Sequence, residues 1–150
     1  RLAIERYVDD EFLLATNGDE VTDINVGEFA RFHLENGGIA TMGLAPLRSP
    51  FGVAEVDQRK RVISFQEKPV LKDHLVSTGV YIFQREIQKY LPARGNIETE
   101  TFPHLAAIGK LVGYLHNGFW GTVNTMKDLQ ELEVKLSKPP LADPQVGLKS

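Results

Sequence analysis

The hydrophobic positions of this chain form short continuous runs, which are separated by segments with helical spacing. Continuous apolar runs that are bounded by turn residues predict strands, especially where they are rich in β-branched and aromatic residues. The predicted strands lie at 12–15, 39–47, 53–56, 62–65, 76–83 and 111–116. The polar segment Asp57-Gln58-Arg59-Lys60 separates the third from the fourth and therefore predicts a hairpin.

Apolar residues three and four positions apart predict helices between these strands. The first helix is predicted over 24–36, with Asp23 as its N-cap and Gly37-Gly38 at its end. Its predicted apolar face consists of Val26, Phe29, Ala30 and Leu34. Strands, helices and a hairpin together predict an α/β fold whose sheet is not purely parallel.

Three further helices are predicted in the second half of the chain. The first covers 86–91, and the second covers 98–108 with Pro103 in its first turn, where the missing N–H costs least. The third covers 125–136. Its apolar candidates are Met126, Leu129, Leu132 and Leu136.

Composition and charge exclude several classes of protein. The formal net charge is -3, and the 17 basic residues are interspersed among 20 acidic ones, unlike the clustered basic surface of a nucleic-acid binder. The absence of cysteine excludes disulfides, thiolate zinc sites and a cysteine nucleophile. No apolar run has the length of a transmembrane helix, and no signal-peptide pattern opens the sequence. We therefore expect a cytoplasmic protein with neither a nucleic acid nor a membrane as partner.

The two ends of the chain and its histidines carry weaker signals. Residues 1–8 resemble the end of a helix, so we expect the sequence to start within a larger unit, and residues 139–150 are predicted to form a mobile tail. The histidines share no metal-ligand spacing, so each is expected to occupy an ordinary structural position. They are His33, His74, His104 and His116.

Four motifs follow one another along the chain. Asp19 comes directly after the first apolar strand and Gly18, and Glu67-Lys68-Pro69 follows the hairpin. The run Ser77-Thr78-Gly79-Val80-Tyr81-Ile82-Phe83 comes next, and Gly118-Phe119-Trp120 comes last. In these motifs and their order, from about Phe12 to Leu136, the chain resembles the sugar-1-phosphate nucleotidyltransferases. Residues 116–120 are most similar to the guanylyl and cytidylyl branches.

This resemblance implies both a fold and a reaction. The fold would be a Rossmann-like mixed sheet with flanking helices, in which residues 1–138 form the C-terminal, sugar-binding part of the catalytic domain. The reaction would join a sugar 1-phosphate to the α-phosphorus of an NTP and expel pyrophosphate, so that NTP, sugar 1-phosphate and Mg²⁺ are the expected partners. Whether the protein forms a homo-oligomer is left open, as are the base and the sugar.

The resemblance also implies roles for individual residues. Asp19 would bind the metal ion, Glu67 would accept hydrogen bonds from sugar hydroxyls, and Lys68 would meet the sugar phosphate. Because Pro69 disfavours a helical conformation at Lys68, we expect this segment to be an extended edge. Gly52 and Gly79 would line the sugar pocket with their main chain, as a glycine beside a strand often marks a close approach. A looser match adds Arg94 and Glu98 to the sugar and phosphate contacts.

Two departures from the family pattern stand out. The Gly-rich loop that cradles the triphosphate has no match in these residues, so we expect the chain by itself to show no nucleotidyl transfer. The second metal-binding Asp of the family falls on Thr122 in one register and on Asn124 in the other. Asn124 is the candidate that we keep, and a neutral ligand holds Mg²⁺ more weakly than a carboxylate does.

Two other functions remain open at this stage. A non-catalytic regulatory or sugar-nucleotide-sensing subunit of the same fold would keep the sugar pocket without the second metal carboxylate. A glycosyltransferase of similar architecture would need a second acid near Asp19, where Glu20 is available, but the Glu67-Lys68-Pro69 segment favours a nucleotidyltransferase. A Gly-rich loop encoded upstream of Arg1 would favour the enzyme over the sensor.

Overall fold

The computed structural model describes residues 4–5 and 9–137. Its strands are β1 (Phe12–Thr16), β2 (Glu20–Thr22), β3 (Ala40–Arg48), β4 (Val53–Val56), β5 (Val62–Gln66), β6 (Val70–Gln84), β7 (Leu111–Leu115) and β8 (Trp120–Thr122). Its α-helices are α1 (Val26–Asn36), α2 (Phe102–Ala107) and α3 (Met126–Leu136). A 3-10 helix covers Arg85–Lys89, and a π-helical turn covers Ile97–Thr101.

The main sheet has four strands in the order β1-β6-β3-β7. β6 is antiparallel to both β1 and β3, whereas β7 is parallel to β3, which confirms the prediction of a mixed sheet. Two antiparallel ribbons complete the strand pairing, β2 with β8 and β4 with β5. The second of these is the predicted hairpin.

The core lies on both faces of the main sheet, because successive side chains of a strand point to opposite sides. Val80 and Ile82 of β6 pack with Phe29 of α1 on one face. Tyr81 and Phe83 pack on the other face, in a cluster that includes Phe102 and Leu105 of α2. The strand at the centre of this arrangement is longer than predicted, since it begins at Val70 rather than at residue 76.

The first helix differs from the prediction in its N-cap residue and in the residues that it buries. Asn25, and not Asp23, is its N-cap, with the side chain accepting a hydrogen bond from the backbone N–H of Glu28 at 3.1 Å. The buried residues are Phe29 and His33, whereas Val26 and Leu34 are 49% and 59% exposed. The helix therefore presents a narrower stripe to the sheet than its apolar residues suggest, and a histidine takes part in it.

The remaining predicted helices are confirmed in place, with local differences. The segment predicted at 98–108 starts as the π-helical turn and becomes α2, with Pro103 in its first turn as expected. The segment predicted at 86–91 is the 3-10 helix. α3 begins after Thr125, whose side chain forms a capping box with Asp128. Of the apolar residues predicted for its buried face, Leu132 is buried, but Met126, Leu129 and Leu136 are exposed.

The Glu67-Lys68-Pro69 segment is a turn and not the extended edge that we predicted. Lys68 has φ 47, in the left-handed region, because the chain changes partner here: β5 pairs with β4, and β6 pairs with β3 and β1. Pro69 is anchored through its carbonyl oxygen, which accepts a hydrogen bond from the Ser49 N–H at 2.9 Å. The preference of a residue before proline for an extended conformation is thus overridden where the pairing changes from β4 to β3.

Two predictions concern the ends of the sequence. Within the predicted helix end at 1–8, residues 4–5 are described and are helical. The predicted tail at 139–150 lies outside the described residues. In the described part of the chain, no helix is long and apolar enough to cross a bilayer.

We expect the protein to lose stability as the pH falls below 6.5, because His33 is buried in a neutral form. The side chain is fully buried, and Nδ1 lies 2.7 Å from Oγ1 of Thr41 while Nε2 has no hydrogen-bond partner. Burial lowers the pKa of His33 below its ordinary value of 6.5. Below 6.5 the unfolded chain therefore binds a proton that the folded chain does not, and the free energy of unfolding falls.

Urea unfolding measured between about pH 5 and pH 7.5 tests this expectation. His33→Gln should flatten the pH dependence, since glutamine does not titrate and can still hydrogen-bond to Thr41. The matched control is His104→Gln at an exposed position, which should keep the wild-type slope. An unchanged slope in folded His33→Gln would show that another group causes the acid sensitivity.

Candidate functional site

The end of β1 brings Asp19 close to Gly79 and to the segment that follows β8. Asn17 N–H donates to the carbonyl oxygen of Gly79 at 2.9 Å, and Val123 N–H donates to the carbonyl oxygen of Asp19 at 2.8 Å. β1 thus delivers an exposed carboxylate to a place where three separate parts of the sequence meet.

The short ribbon of β2 and β8 builds one wall of this place. Glu20 pairs with Thr122 across the ribbon, and Thr22 pairs with Trp120. The indole N–H of Trp120 donates to Oε2 of Glu20 at 2.8 Å and also lies 3.1 Å from the carbonyl oxygen of Thr78. Trp120, the only tryptophan of the chain, therefore links the ribbon to β6 next to Gly79.

Gly79 is a position of close approach, and its predicted contact with a sugar stays a prediction. Its φ is 69, a conformation that L side chains rarely adopt. A Cβ atom there would lie 2.7 Å from Cγ of Glu20 and 2.8 Å from Nδ2 of Asn17. The groups that approach Gly79 are thus side chains of this chain, and both come from the neighbourhood of Asp19.

Glu20 was considered in the sequence only as the second acid of a glycosyltransferase, yet the structure gives its carboxylate several contacts. Its partial burial raises its pKa, the hydrogen bond from Trp120 lowers it, and the neighbouring Asp19 charge raises it further. The net direction is upward. The signal that could have found this residue was its position directly after Asp19.

A groove of about 370 Å³ opens on the side of β6 that carries Ser77 and Tyr81. Tyr81 and Ser77 contribute its polar groups, with Tyr81 Oη 3.0 Å from Ser77 Oγ, and Ser77 Oγ also accepts the N–H of Gly79 at 3.2 Å. Glu98 lies in the groove wall, and Phe102 and Leu111 contribute to its apolar surface. Of these residues, only Glu98 was a predicted site residue.

The electrostatics of Tyr81 connect the groove to Glu20. Burial raises the pKa of the phenol, the hydrogen bond with Ser77 lowers it, and the negative charges of Glu98 and Glu20 raise it. The net shift is upward, so Tyr81 keeps its proton and can serve as a hydrogen-bond donor. The carboxylates of Glu20 and Glu98 therefore both act on the phenol of Tyr81.

The hairpin brings together a second set of predicted residues. A Cβ atom at Gly52 would overlap the ring of Phe65 and would lie 3.0 Å from Oε2 of Glu67, so this glycine is also at a close approach. Lys68 follows at the exposed turn. Gly52 and Glu67 are therefore neighbours in the structure, and Lys68 follows Glu67 in sequence.

The residues around Asp19 and Gly79 form one set, and the hairpin residues form another. No hydrogen bond or ion pair joins these two sets within residues 4–5 and 9–137. Val70 pairs with Arg48 of β3, and Tyr81 pairs with Met42. Six residues of β3 correspond to about 20 Å, so the Lys68 turn and the groove lie towards opposite ends of β6. The convergence of all predicted site residues on one ligand stays a prediction.

Arg94 and the segment before Glu98 form the third part of the predicted site. Arg94 is exposed in the loop before the π-helical turn and makes no ion pair in the described part of the chain. Asn96 caps the turn, with its Oδ1 accepting the N–H of Glu98 at 2.7 Å. The cap orients the turn that carries Glu98 into the groove wall.

The oxygen atoms that could hold a divalent cation lie around Asp19. Asn124 Nδ2 donates to Oγ1 of Thr122, which leaves Oδ1 of Asn124 without a partner among the described residues. These side chains and the Asp19 carboxylate offer hard oxygen donors, which suit Mg²⁺ when substrate phosphates supply the other ligands. No cluster of three or more acidic, histidine or cysteine side chains in metal-binding geometry occurs in the described residues.

Asp23, which we predicted as a helix cap, instead fixes the loop before β8. Its Oδ1 accepts the N–H of Phe119 at 2.7 Å and lies 2.9 Å from Nε2 of His116. His116 is buried, and its Nε2 also lies 3.1 Å from the carbonyl oxygen of Phe119. The contacts of Asp23 and His116 thus fix the loop that leads into β8 at Trp120.

Comparisons with known proteins show the family to which this chain is related. A family model described as nucleotidyl transferase matches residues 2–138. Glucose-1-phosphate cytidylyltransferase of Salmonella typhi is 31% identical over 132 residues, covering 87% of this chain and 51% of that protein. Glucose-1-phosphate adenylyltransferase of Clostridium acetobutylicum (strain ATCC 824) is 33% identical over 147 residues, covering 89% of this chain and 38% of that protein. The chain thus spans about half or less of these relatives.

A solved structure shows the fold independently. The crystal structure of HddC from Yersinia pseudotuberculosis matches with a TM-score of 0.64 at 17% sequence identity, covering 90% of this chain and 59% of that one. The structural neighbours of the chain share a Rossmann-like fold, which agrees with the mixed sheet and flanking helices described above.

Proposed function

Because the chain belongs to the sugar-1-phosphate nucleotidyltransferase family, we propose that it supplies the sugar-phosphate and metal-binding part of an enzyme that transfers a nucleotidyl group from an NTP to a sugar 1-phosphate. In this reaction a phosphate oxygen of the sugar 1-phosphate forms a bond to the α-phosphorus of the NTP. The bond from that phosphorus to the bridging oxygen breaks, and pyrophosphate leaves.

The observation that carries the proposal is the meeting of Asp19, Gly79 and the 122–124 segment beside a groove with polar and apolar walls. A sugar ring needs hydrogen-bonding groups along one edge and an apolar surface against its C–H bonds. Tyr81, Ser77 and Glu98 offer the first, and Phe102 offers the second. The phosphate of the sugar would then lie towards Asp19.

Phosphoryl transfer depends on alignment and charge neutralisation more than on covalent chemistry. Asp19, with the oxygens of Asn124 and Thr122, would hold Mg²⁺, which supplies positive charge to the reacting phosphates. Lys68 and Arg94 would hold the sugar phosphate, while Glu67 and the main chain of Gly52 would contact the sugar. For the hairpin residues to reach the same ligand, the hairpin must lie over the sheet.

A second candidate function rests on Thr122 and Asn124. Their neutral side chains stand where a carboxylate would strengthen a metal site, which favours a regulatory or sugar-nucleotide-sensing subunit that binds without turnover. Pyrophosphate release from each NTP with glucose 1-phosphate and Mg²⁺, measured on the complete gene product, separates the two functions. Release that stops on chelation supports the enzyme, and tight binding of a nucleotide sugar without release supports the sensor.

Lys68→Ala should weaken the binding of glucose 1-phosphate by about tenfold to a hundredfold, because it removes a charge-assisted contact to the phosphate. Calorimetric titration measures this, and quenching of Trp120 fluorescence gives a second readout. Lys127→Ala on α3 is the matched control, since its ammonium group is exposed and, among the described residues, its one ion pair is with Glu131 of the same helix. Equal affinities for both variants and the wild type would remove Lys68 from the site.

A further inference from the structure

Building on the proposed function, we infer that Glu20 is a specificity-determining residue that makes this site prefer sugar 1-phosphates with a free amino group and reject those with a carboxylate on the ring. The inference concerns the sugar substituent only, because the phosphate is common to all the substrates compared.

The position of the Glu20 carboxylate is fixed from one side. Oε2 accepts the indole N–H of Trp120, and Trp120 is held in turn by its contact with the Thr78 carbonyl oxygen. Oε1 has no hydrogen-bond partner within the described residues. A charged side chain that is held in one orientation with one free oxygen is suited to accept a hydrogen bond from a ligand.

The lack of a side chain at Gly79 leaves space for this oxygen. A Cβ atom at this position would lie 2.8 Å from Oε1 of Glu20, so the glycine makes the room that the carboxylate occupies. Ser77 and Tyr81 line the groove, and Oγ of Ser77 accepts the N–H of Gly79 at 3.2 Å. Glu20 therefore lies at the Ser77 and Gly79 end of the groove.

The end of the groove at Ser77 and Gly79 carries a net negative charge. Glu98 lies in the groove wall, both carboxylates act on Tyr81, and none of the described residues lining the groove is basic. A ring ammonium group gains a charge-assisted hydrogen bond here, whereas a ring carboxylate meets the like charges of Glu20 and Glu98. A neutral hydroxyl group falls between these cases.

Three probes test the inference: glucosamine 1-phosphate, which has an amino group at C2, glucose 1-phosphate, and glucuronic acid 1-phosphate, which has a carboxylate at C6. We expect wild-type dissociation constants at about pH 7 to rise in that order. Each of the two steps, from glucosamine 1-phosphate to glucose 1-phosphate and from there to glucuronic acid 1-phosphate, should be about tenfold. Added salt should narrow both steps, because it screens the charges that cause them.

Glu20→Gln is the deciding variant. The amide keeps an oxygen for the Trp120 N–H and the same shape, but it loses the charge, so the steps on either side of glucose 1-phosphate should shrink to about threefold or less. Glu35→Gln on the exposed face of α1 is the matched control and should keep the wild-type order. Unfolding midpoints equal to the wild type establish that both variants are folded.

The outcomes distinguish this inference from the function on which it rests. If the wild-type protein binds none of the three sugar phosphates, the proposed function fails and the inference fails with it. If it binds all three equally, or binds the glucuronic acid derivative best, the function stands and the inference is wrong. If Glu20→Gln keeps the full wild-type spread, the preference exists but Glu20 does not cause it, and the assignment is overturned.

Discussion

Replacement of Asp19 by Asn is expected to lower pyrophosphate release by the complete gene product by about a hundredfold or more. The carboxylate is the one negatively charged side chain among the three that we propose for Mg²⁺, and the loss of a metal ligand's charge removes stabilisation of the reacting phosphates. Steady-state rates at several Mg²⁺ concentrations measure the effect. Excess Mg²⁺ should recover part of the activity, since the oxygen ligands remain.

Two further variants serve as comparisons for Asp19→Asn. His104→Ala, at an exposed position on α2, should keep nearly full activity, because the reaction uses no histidine there. Asn124→Asp should lower the Mg²⁺ concentration needed for half-maximal activity, because it adds a carboxylate beside Thr122. A wild-type rate in Asp19→Asn, or equal losses in Asp19→Asn and His104→Ala, would contradict the metal role of Asp19.

Gly79→Ala is expected to destabilise the fold and to abolish sugar-phosphate binding at concentrations that saturate the wild type. The new methyl group meets two penalties, a left-handed backbone at φ 69 and overlap with Glu20 and Asn17. The first costs about 1–2 kcal/mol for an L residue. The second adds about 1–3 kcal/mol, because the neighbours must move and the Trp120 contact with Glu20 must give way.

The chain contains a control that separates these penalties. Gly109 has φ 68, but a Cβ atom there would meet nothing within 4 Å. Gly109→Ala therefore carries the backbone penalty alone and should leave ligand binding intact. Urea unfolding and Trp120 fluorescence measure both variants. If the two alanine variants have the same stability and the same affinity, the close approach at Gly79 has no energetic or functional weight.

The parts of the fold that the sequence predicts are those with local causes. Apolar runs predict the strands of the main sheet, and the polar segment after Val56 predicts the hairpin, because side-chain periodicity is a property of neighbouring residues. The N-cap of α1 was predicted at Asp23 because that residue has the right chemistry. Its true partners, Phe119 and His116, lie more than ninety positions away, and no local rule reports them.

The same distinction applies to the candidate site. Motifs predicted Asp19, Gly79 and Glu98 as site residues, and the structure places the first two close together and Glu98 in the wall of the nearby groove. Glu20 and Tyr81 gain their significance from contacts across the sheet and the ribbon, which a motif does not contain. The conformation of Lys68 was missed for a related reason, since the turn follows from the pairing of β5 and β6 with different strands.

The ribbon of β2 and β8 also affects the order in which the protein folds. Glu20 and Trp120 are 100 residues apart in sequence, so their contact closes a loop that contains three strands of the main sheet, β3, β6 and β7. The entropy cost of closing a loop grows with its length, and non-local strand pairs are slow to form. With three residues in each strand, the ribbon has too few contacts to form before the sheet that supports it. We therefore expect the ribbon, and with it the contact between Trp120 and Glu20, to form only after the main sheet.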